Sequence, residues 1–146
     1  MAILLPNTIP EHDQEGLLKL QEALLELAEQ LLGDRDKSKI IYQPDFDVNG
    51  PYINNTPNLD GASARLSPNS KLYWPTVVYE MAHEIIHLLN PIVGYTNWLE
   101  EGIAVKFSIF AQNEPNLHPI QQPISGPYFD ALELVNTLIQ LQVRVF

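Results

Sequence analysis

The sequence of 146 residues contains no cysteine, so it can form neither disulfide bonds nor a metal site built on thiolates. It has only eight lysine and arginine residues against 18 aspartate and glutamate residues, and its formal net charge is -10 at pH 7. Binding to nucleic acids and to anionic membrane surfaces requires clustered cations, so we expect neither partner. The same charge favours cationic partners such as metal ions and basic peptides.

Long apolar runs are also lacking, and none approaches the roughly 18 residues of a membrane span. The first ten residues, MAILLPNTIP, have no basic n-region, so we expect no signal peptide. These features and the absence of cysteine favour a cytoplasmic protein. The length is typical of one domain, which we assign to residues 1–146.

Periodicity and turn residues predict four helices and two short strands. The first helix has leucines at spacings of three and four, begins near a Thr8–Glu11 capping box and ends at Gly33. The remaining elements are strands at 39–43 and 62–67 and helices at 75–90, 97–112 and 128–143, with loops at 44–61 and 113–127. This order predicts an α+β fold.

Two histidines lie one turn apart in the apolar stretch YEMAHEIIHLLNP, residues 79–91. Successive helical residues are about 100° apart, so His83 and His87 point the same way and can share one metal ion. Glu84 lies beside them and can take a proton from a water molecule that the metal activates. A predominantly apolar helix should be buried, and buried histidines require partners.

A catalytic zinc site usually has three protein ligands, and without cysteine the third must be His, Asp or Glu. The segment TNWLEEGIA, residues 96–104, follows the histidines. Asn97 can cap its helix, and Glu100 at the third position can complete a capping box. Glu101 is then the predicted third ligand, with Glu100 as the alternative, and Gly102 permits another helix to approach closely.

The segments HEIIH and WLEEGIA together resemble the gluzincin branch of the zincin metallopeptidases, especially the peptidase MA-like group. The resemblance covers residues 75–112 and maps His83, His87 and Glu101 to Zn²⁺ ligands and Glu84 to the general base. It implies a minimal zincin-like fold, with a small twisted sheet, an HExxH helix and further packed helices. It also implies an edge strand along the cleft, for which 62–67 is the candidate.

The implied function is a zinc-dependent hydrolase, a peptidase acting on a peptide or protein through a zinc-activated water with Glu84 as general base. Tyr128 or His118 is expected to stabilise the oxyanion, with Tyr128 preferred. Glu80, one turn before the motif, could orient an imidazole or lie at the surface. The alternative function is a non-catalytic zinc-binding or protein-interaction domain that retains the zincin fold.

Two other metal sites are weighed against this one. The run from Asp45 to Gly50 resembles the first half of a calcium loop, but Thr56 stands where a glutamate is needed, so a turn rich in Asp and Asn is preferred to a weak calcium site. Glu80-x-x-His83 and Glu84-x-x-His87 match the ExxH pairs of di-iron bundles. Those pairs belong to separate helices, whereas these share one helix.

Overall fold

The computed structural model describes residues 3–92, 94 and 96–145, and for residues 142–145 it describes the backbone alone. Four helices and a small sheet make up this part of the chain, in agreement with the predicted α+β class. The elements are α1 (Gln14–Leu32), β1 (Ile40–Ile41), β2 (Asp45–Phe46), β3 (Tyr52–Asn55), β4 (Gly61–Leu66), α2 (Trp74–Leu89), α3 (Trp98–Ala111) and α4 (Pro127–Val145).

Helix α1 begins one turn later than predicted. Its N-cap is Asp13, whose carboxylate accepts from the Gly16 amide at 2.8 Å and from the Thr8 hydroxyl. The predicted Thr8–Glu11 capping box is therefore wrong, because the acidic side chain of Asp13 engages the Thr8 hydroxyl and caps the helix itself. The predicted end at Gly33 is confirmed, since this residue has φ 103°, a conformation that glycine adopts readily.

Strand β4 lies at the centre of the sheet. The carbonyls of Asp60, Ala62 and Leu66 accept from residues of the β1–β2 segment, so β1 and β2 run along one edge of β4. The other edge pairs antiparallel with β3, from Tyr52 opposite Arg65 to Asn55 opposite Ala62.

The assignment of 62–67 as the edge strand is therefore wrong, and the edge strand is β3, within the segment predicted as a loop. Four of its residues pair with β4 in an antiparallel hairpin, and this pairing outweighs the turn-forming composition of residues 44–61. Ala62, Ala64 and Leu66 are fully buried, as their alternation predicted. The predicted strand 39–43 is reduced to Ile40–Ile41.

Helix α2 runs through the core. It begins at Trp74, with Pro75 in its first turn, and ends at Leu89, because Pro91 disfavours a helical conformation at Asn90. It packs against α1, β4 and α3. Its buried apolar residues are Trp74, Val77, Val78, Met81, Ala82, Ile85, Ile86 and Leu88, which confirms the predicted buried helix.

Helix α3 packs against both α2 and α4. A β-carbon at Gly102 would lie 2.3 Å from the Ala131 carbonyl oxygen and 2.4 Å from a methyl group of Val135. The predicted close helix approach at Gly102 is thereby confirmed, and the approaching helix is α4. Within the described residues, no helix combines the length and the apolar character that crossing a bilayer requires.

Candidate metal centre

Helix α2 carries the side chains of the HExxH motif inside the molecule. Glu84 and His87 are buried, and the His83 side chain is 12% exposed. The two imidazole rings have centroids 5.3 Å apart, as expected for residues one turn apart on the same helix face. The apolar residues of α2 anchor this helix in the core, so the backbone positions from which both rings project are fixed.

Glu101 meets both histidines at the start of α3. One carboxylate oxygen, Oε1, lies 3.0 Å from Nε2 of His83 and 3.1 Å from Nε2 of His87. The start of the helix is fixed by Asn97, whose side chain accepts from the Glu100 amide at 2.8 Å. A ligand atom from each of the three residues His83, His87 and Glu101 lies within 4.8 Å of the others.

Glu100 contacts the opposite nitrogen of the same ring. Its Oε2 is 2.9 Å from Nδ1 of His87, whereas Nε2 of that ring faces Glu101. The Asn97 half of the predicted capping box is confirmed, but the carboxylate of Glu100 binds an imidazole instead of completing the box. The physical reason is that a carboxylate forms a stronger hydrogen bond with a charged ring than with a neutral backbone amide.

Thr96 is a further residue of the site that the sequence reasoning missed. Its hydroxyl donates to Oε2 of Glu101 at 2.6 Å, so both carboxylate oxygens of Glu101 are engaged. The only signal in the sequence is the position of Thr96 immediately before the N-cap. From there, its side chain can reach the first turn of the helix.

Burial and charge pairing shift the proton affinities of these groups. Burial by itself would lower the pKa of His87, but hydrogen bonds to Glu101 and Glu100 raise this pKa from 6.5 to about 9. Burial would raise the pKa of Glu101, but hydrogen bonds from His83, His87 and Thr96 hold it far below its usual range. Burial raises the pKa of Glu84, and this effect exceeds the lowering by the neighbouring histidines.

The donor set fits a zinc ion. Two imidazole Nε2 atoms and one carboxylate oxygen converge, and these are ligand types that zinc accepts, with a fourth position left for water or substrate. An oriented zinc histidine usually donates its other ring nitrogen to a carboxylate or carbonyl. The contact between Nδ1 of His87 and Glu100 supplies such a partner. Without a metal ion, two hydrogen bonds, one from each Nε2–H to Oε1 of Glu101, can hold the same three groups together.

A cleft of about 320 Å³ opens onto these groups. Glu84 lines it, and among the described residues its carboxylate forms no hydrogen bond, unlike Glu80, Glu100 and Glu101. Tyr128, the preferred oxyanion residue, also lines the cleft, and its ring centroid is 5.1 Å from that of His83. Burial raises the pKa of Tyr128, and the nearby Glu101 and Glu84 add to this rise, so its hydroxyl stays protonated at neutral pH.

The edge strand β3 forms one wall of the cleft through Tyr52, Ile53 and Asn55. Thr56 donates its amide to Gly61 of β4. Backbone groups alternate in direction along a strand, so those of Ile53 and Asn55 point away from β4. An exposed strand edge of this kind can pair with an extended peptide.

Two other candidate residues lie apart from the cleft. Glu80 is buried and accepts from the backbone and the hydroxyl of Ser67, so neither proposed role, an imidazole partner or a surface residue, is correct. This engagement also removes Glu80 from a di-iron pair with His83. His118 is exposed, contacts Asn116 at 3.2 Å, and is absent from the residues that line the cleft.

The calcium-like run forms a turn held by its own side chains. Asp47 accepts from the Asn49 amide and from the Tyr52 hydroxyl, both at 2.8 Å. Asp45 accepts from its neighbouring amide and lies 3.6 Å from the Arg65 guanidinium. Both carboxylates therefore have partners in the fold, in agreement with the preferred interpretation of an aspartate-rich turn.

Comparisons of the chain with protein-family models, with curated proteins and with solved structures give no match.

Proposed function

We propose that the protein is a zinc-dependent peptidase with a zincin-like fold, in which His83, His87 and Glu101 hold the zinc ion. One observation carries this proposal: Oε1 of Glu101 lies within about 3 Å of both histidine Nε2 atoms. These three side chains come from two helices, and their convergence leaves the neighbouring carboxylate of Glu84 facing the same cleft. A metal ligand set beside an uncommitted carboxylate is the arrangement that metal-assisted hydrolysis requires.

Zinc, when bound, would polarise the scissile carbonyl and lower the pKa of water. Glu84 would act as the general base, accepting the proton from water and delivering it to the leaving nitrogen. Its burial supports this role, because a raised carboxylate pKa approaches the value at which proton acceptance and donation are balanced near neutral pH.

Two further elements would bind the substrate. The protonated hydroxyl of Tyr128 would donate a hydrogen bond to the oxygen that gains charge during the reaction. The backbone groups of Ile53 and Asn55 would hold an extended peptide along β3. The substrate class that fits these walls is therefore a peptide or an unfolded protein segment.

Zinc content and hydrolysis of a peptide library test the proposal. We expect about one equivalent of zinc in the wild type, and its loss in His87→Ala, because zinc sites depend on each of a small number of protein ligands. Glu84→Gln should retain zinc and lose hydrolysis, because the amide cannot accept the proton. Glu133→Gln, at an exposed position on α4, is the matched control and should change neither quantity.

The alternative function predicts a different result. A non-catalytic zinc-binding or protein-interaction domain would hold zinc and remain inert towards the same library, with Glu84→Gln indistinguishable from the wild type. A wild type that binds no zinc at neutral pH would overturn both functions.

A further inference from the structure

A second cavity adjoins the cleft on the side of α3 and α4. It has a volume of about 290 Å³, and the described residues that line it are Thr96, Trp98, Glu101, Pro127 and Tyr128. Thr96, Glu101 and Tyr128 also line the larger cleft, so the two spaces share a wall at the metal centre. A group that occupies the second cavity therefore contacts the same wall that borders the metal centre.

The Trp98 side chain is exposed. This side chain is 55% exposed, whereas the other tryptophan of the chain, Trp74, is 6% exposed and donates its indole N–H to the Thr8 carbonyl. Trp98 is the first residue of α3, a helix that buries Ala104, Val105 and Phe107. Its ring therefore lies outside the core that α3 forms.

The polar groups in the lining are already engaged with one another. The Thr96 hydroxyl donates to Glu101, and the other oxygen of Glu101 faces both histidines. What the second cavity offers a ligand is the indole of Trp98, the ring of Pro127 and the ring of Tyr128. Aromatic and proline rings provide apolar area and favour stacking with another ring.

We propose that this cavity, which we name the Trp98 subsite, binds an apolar or aromatic side chain of the substrate beside the scissile bond. The inference rests on the proposed function. The volume is consistent with it, since it lies at the lower end of the roughly 300–1,000 Å³ that whole ligands usually occupy. Substrate preference would then depend on Trp98. Among the described contacts, Trp98 forms no hydrogen bond with a proposed metal ligand.

Peptide hydroxamates test the subsite without turnover. Four probes that differ in one side chain (Phe, Leu, Lys or Gly) would be titrated by calorimetry into the zinc-loaded Glu84→Gln variant. We expect the Phe and Leu probes to bind about 10-fold more tightly than the Gly probe, because burial of one such side chain contributes at this level. The ratio should fall below about 3-fold when Trp98→Ala is added, and Trp98→Phe should retain most of it.

Leu99→Ala is the matched control, because Leu99 is an exposed apolar neighbour on α3 that lines neither cavity. It should leave the Phe-to-Gly ratio unchanged. Fluorescence gives an independent readout: the Phe probe should shift tryptophan emission to shorter wavelength, and Trp98→Phe should abolish this shift because buried Trp74 alone remains.

Other relative affinities of the four probes would contradict the proposal. Equal affinities for Phe and Gly probes, or a Phe preference that survives in Trp98→Ala, would overturn the subsite while leaving the zinc site intact. Tightest binding of the Lys probe would overturn the apolar class and indicate a cation–π subsite. Absence of zinc binding would overturn the proposed function and the subsite together.

Discussion

Removing Glu100 and removing Glu101 should affect zinc binding to different degrees, although the two residues are adjacent. Glu100 contacts Nδ1 of His87 at 2.9 Å, on the ring nitrogen opposite the one that faces Glu101. A charge-assisted hydrogen bond contributes about 1.5–3 kcal/mol, and loss of a partner behind a zinc histidine costs about 10- to 100-fold in metal affinity. The Glu100 side chain is 28% exposed, which screens the bond and favours the lower end of this range.

We therefore expect Glu100→Ala to weaken zinc binding by about 10- to 30-fold, and Glu100→Gln, which keeps an acceptor oxygen, to weaken it less. Glu101→Ala removes a proposed ligand and should cost more than about 100-fold, beyond what loss of an orienting partner costs. Competition against a chromogenic zinc chelator measures each affinity, with Glu133→Gln as the control. Zinc retained in Glu101→Ala and lost in Glu100→Ala would refute the assignment and make Glu100 the ligand.

Three further predictions concern catalysis, pH and packing. Tyr128→Phe should reduce kcat by about 100-fold, a typical cost of losing one oxyanion donor, while zinc affinity stays constant; an unchanged kcat would contradict its role. The raised pKa of His87 stabilises the metal-free fold fully below pH 6.5, and this contribution, at most about 3–4 kcal/mol, should disappear as pH rises through 9. Thermal unfolding of chelator-treated protein between about pH 5 and 10 tests the sign. Gly102→Ala places a methyl group against the Ala131 carbonyl and should lower the free energy of unfolding by about 1–3 kcal/mol in urea titrations, whereas unchanged stability would show that α4 can shift.

The sequence was most informative where the determining contacts are local. The histidines are one helical turn apart, so their spacing alone places both rings on the same side of the helix. Asn97 caps the next helix through a contact three residues away. The approach of Glu101 to both histidines was predictable because the first turn of α3 offers two carboxylates and the Asn97 cap fixes where that turn begins. Sequence reasoning left Glu100 as an alternative ligand, and in the structure Glu100 contacts Nδ1 of His87, opposite the nitrogen that faces Glu101.

The errors arose where residues outside the local segment decide its secondary structure or its hydrogen-bond partners. Residues 52–55 have turn-forming neighbours, and they become a strand only because β4 pairs with them. Glu80 lies one helical turn before His83, where it could have contacted an imidazole. Ser67, 13 residues earlier in the chain, instead donates hydrogen bonds to both of its carboxylate oxygens. Neither partner can be identified from helical periodicity, because the approach of β3 and β4 to α2 depends on the tertiary fold.

The same arrangement explains how a buried helix can carry a charged histidine before any metal binds. A buried charge is costly unless it is paired, and here the positive charge of His87 lies between the carboxylates of Glu100 and Glu101. The apolar residues of α2 and the cap at Asn97 form the two helices independently of the ligand contacts. Zinc would therefore displace a proton from Nε2 of His87 instead of nucleating the fold. It follows that zinc affinity should fall steeply with acidity below pH 9, the range in which that ring holds its extra proton.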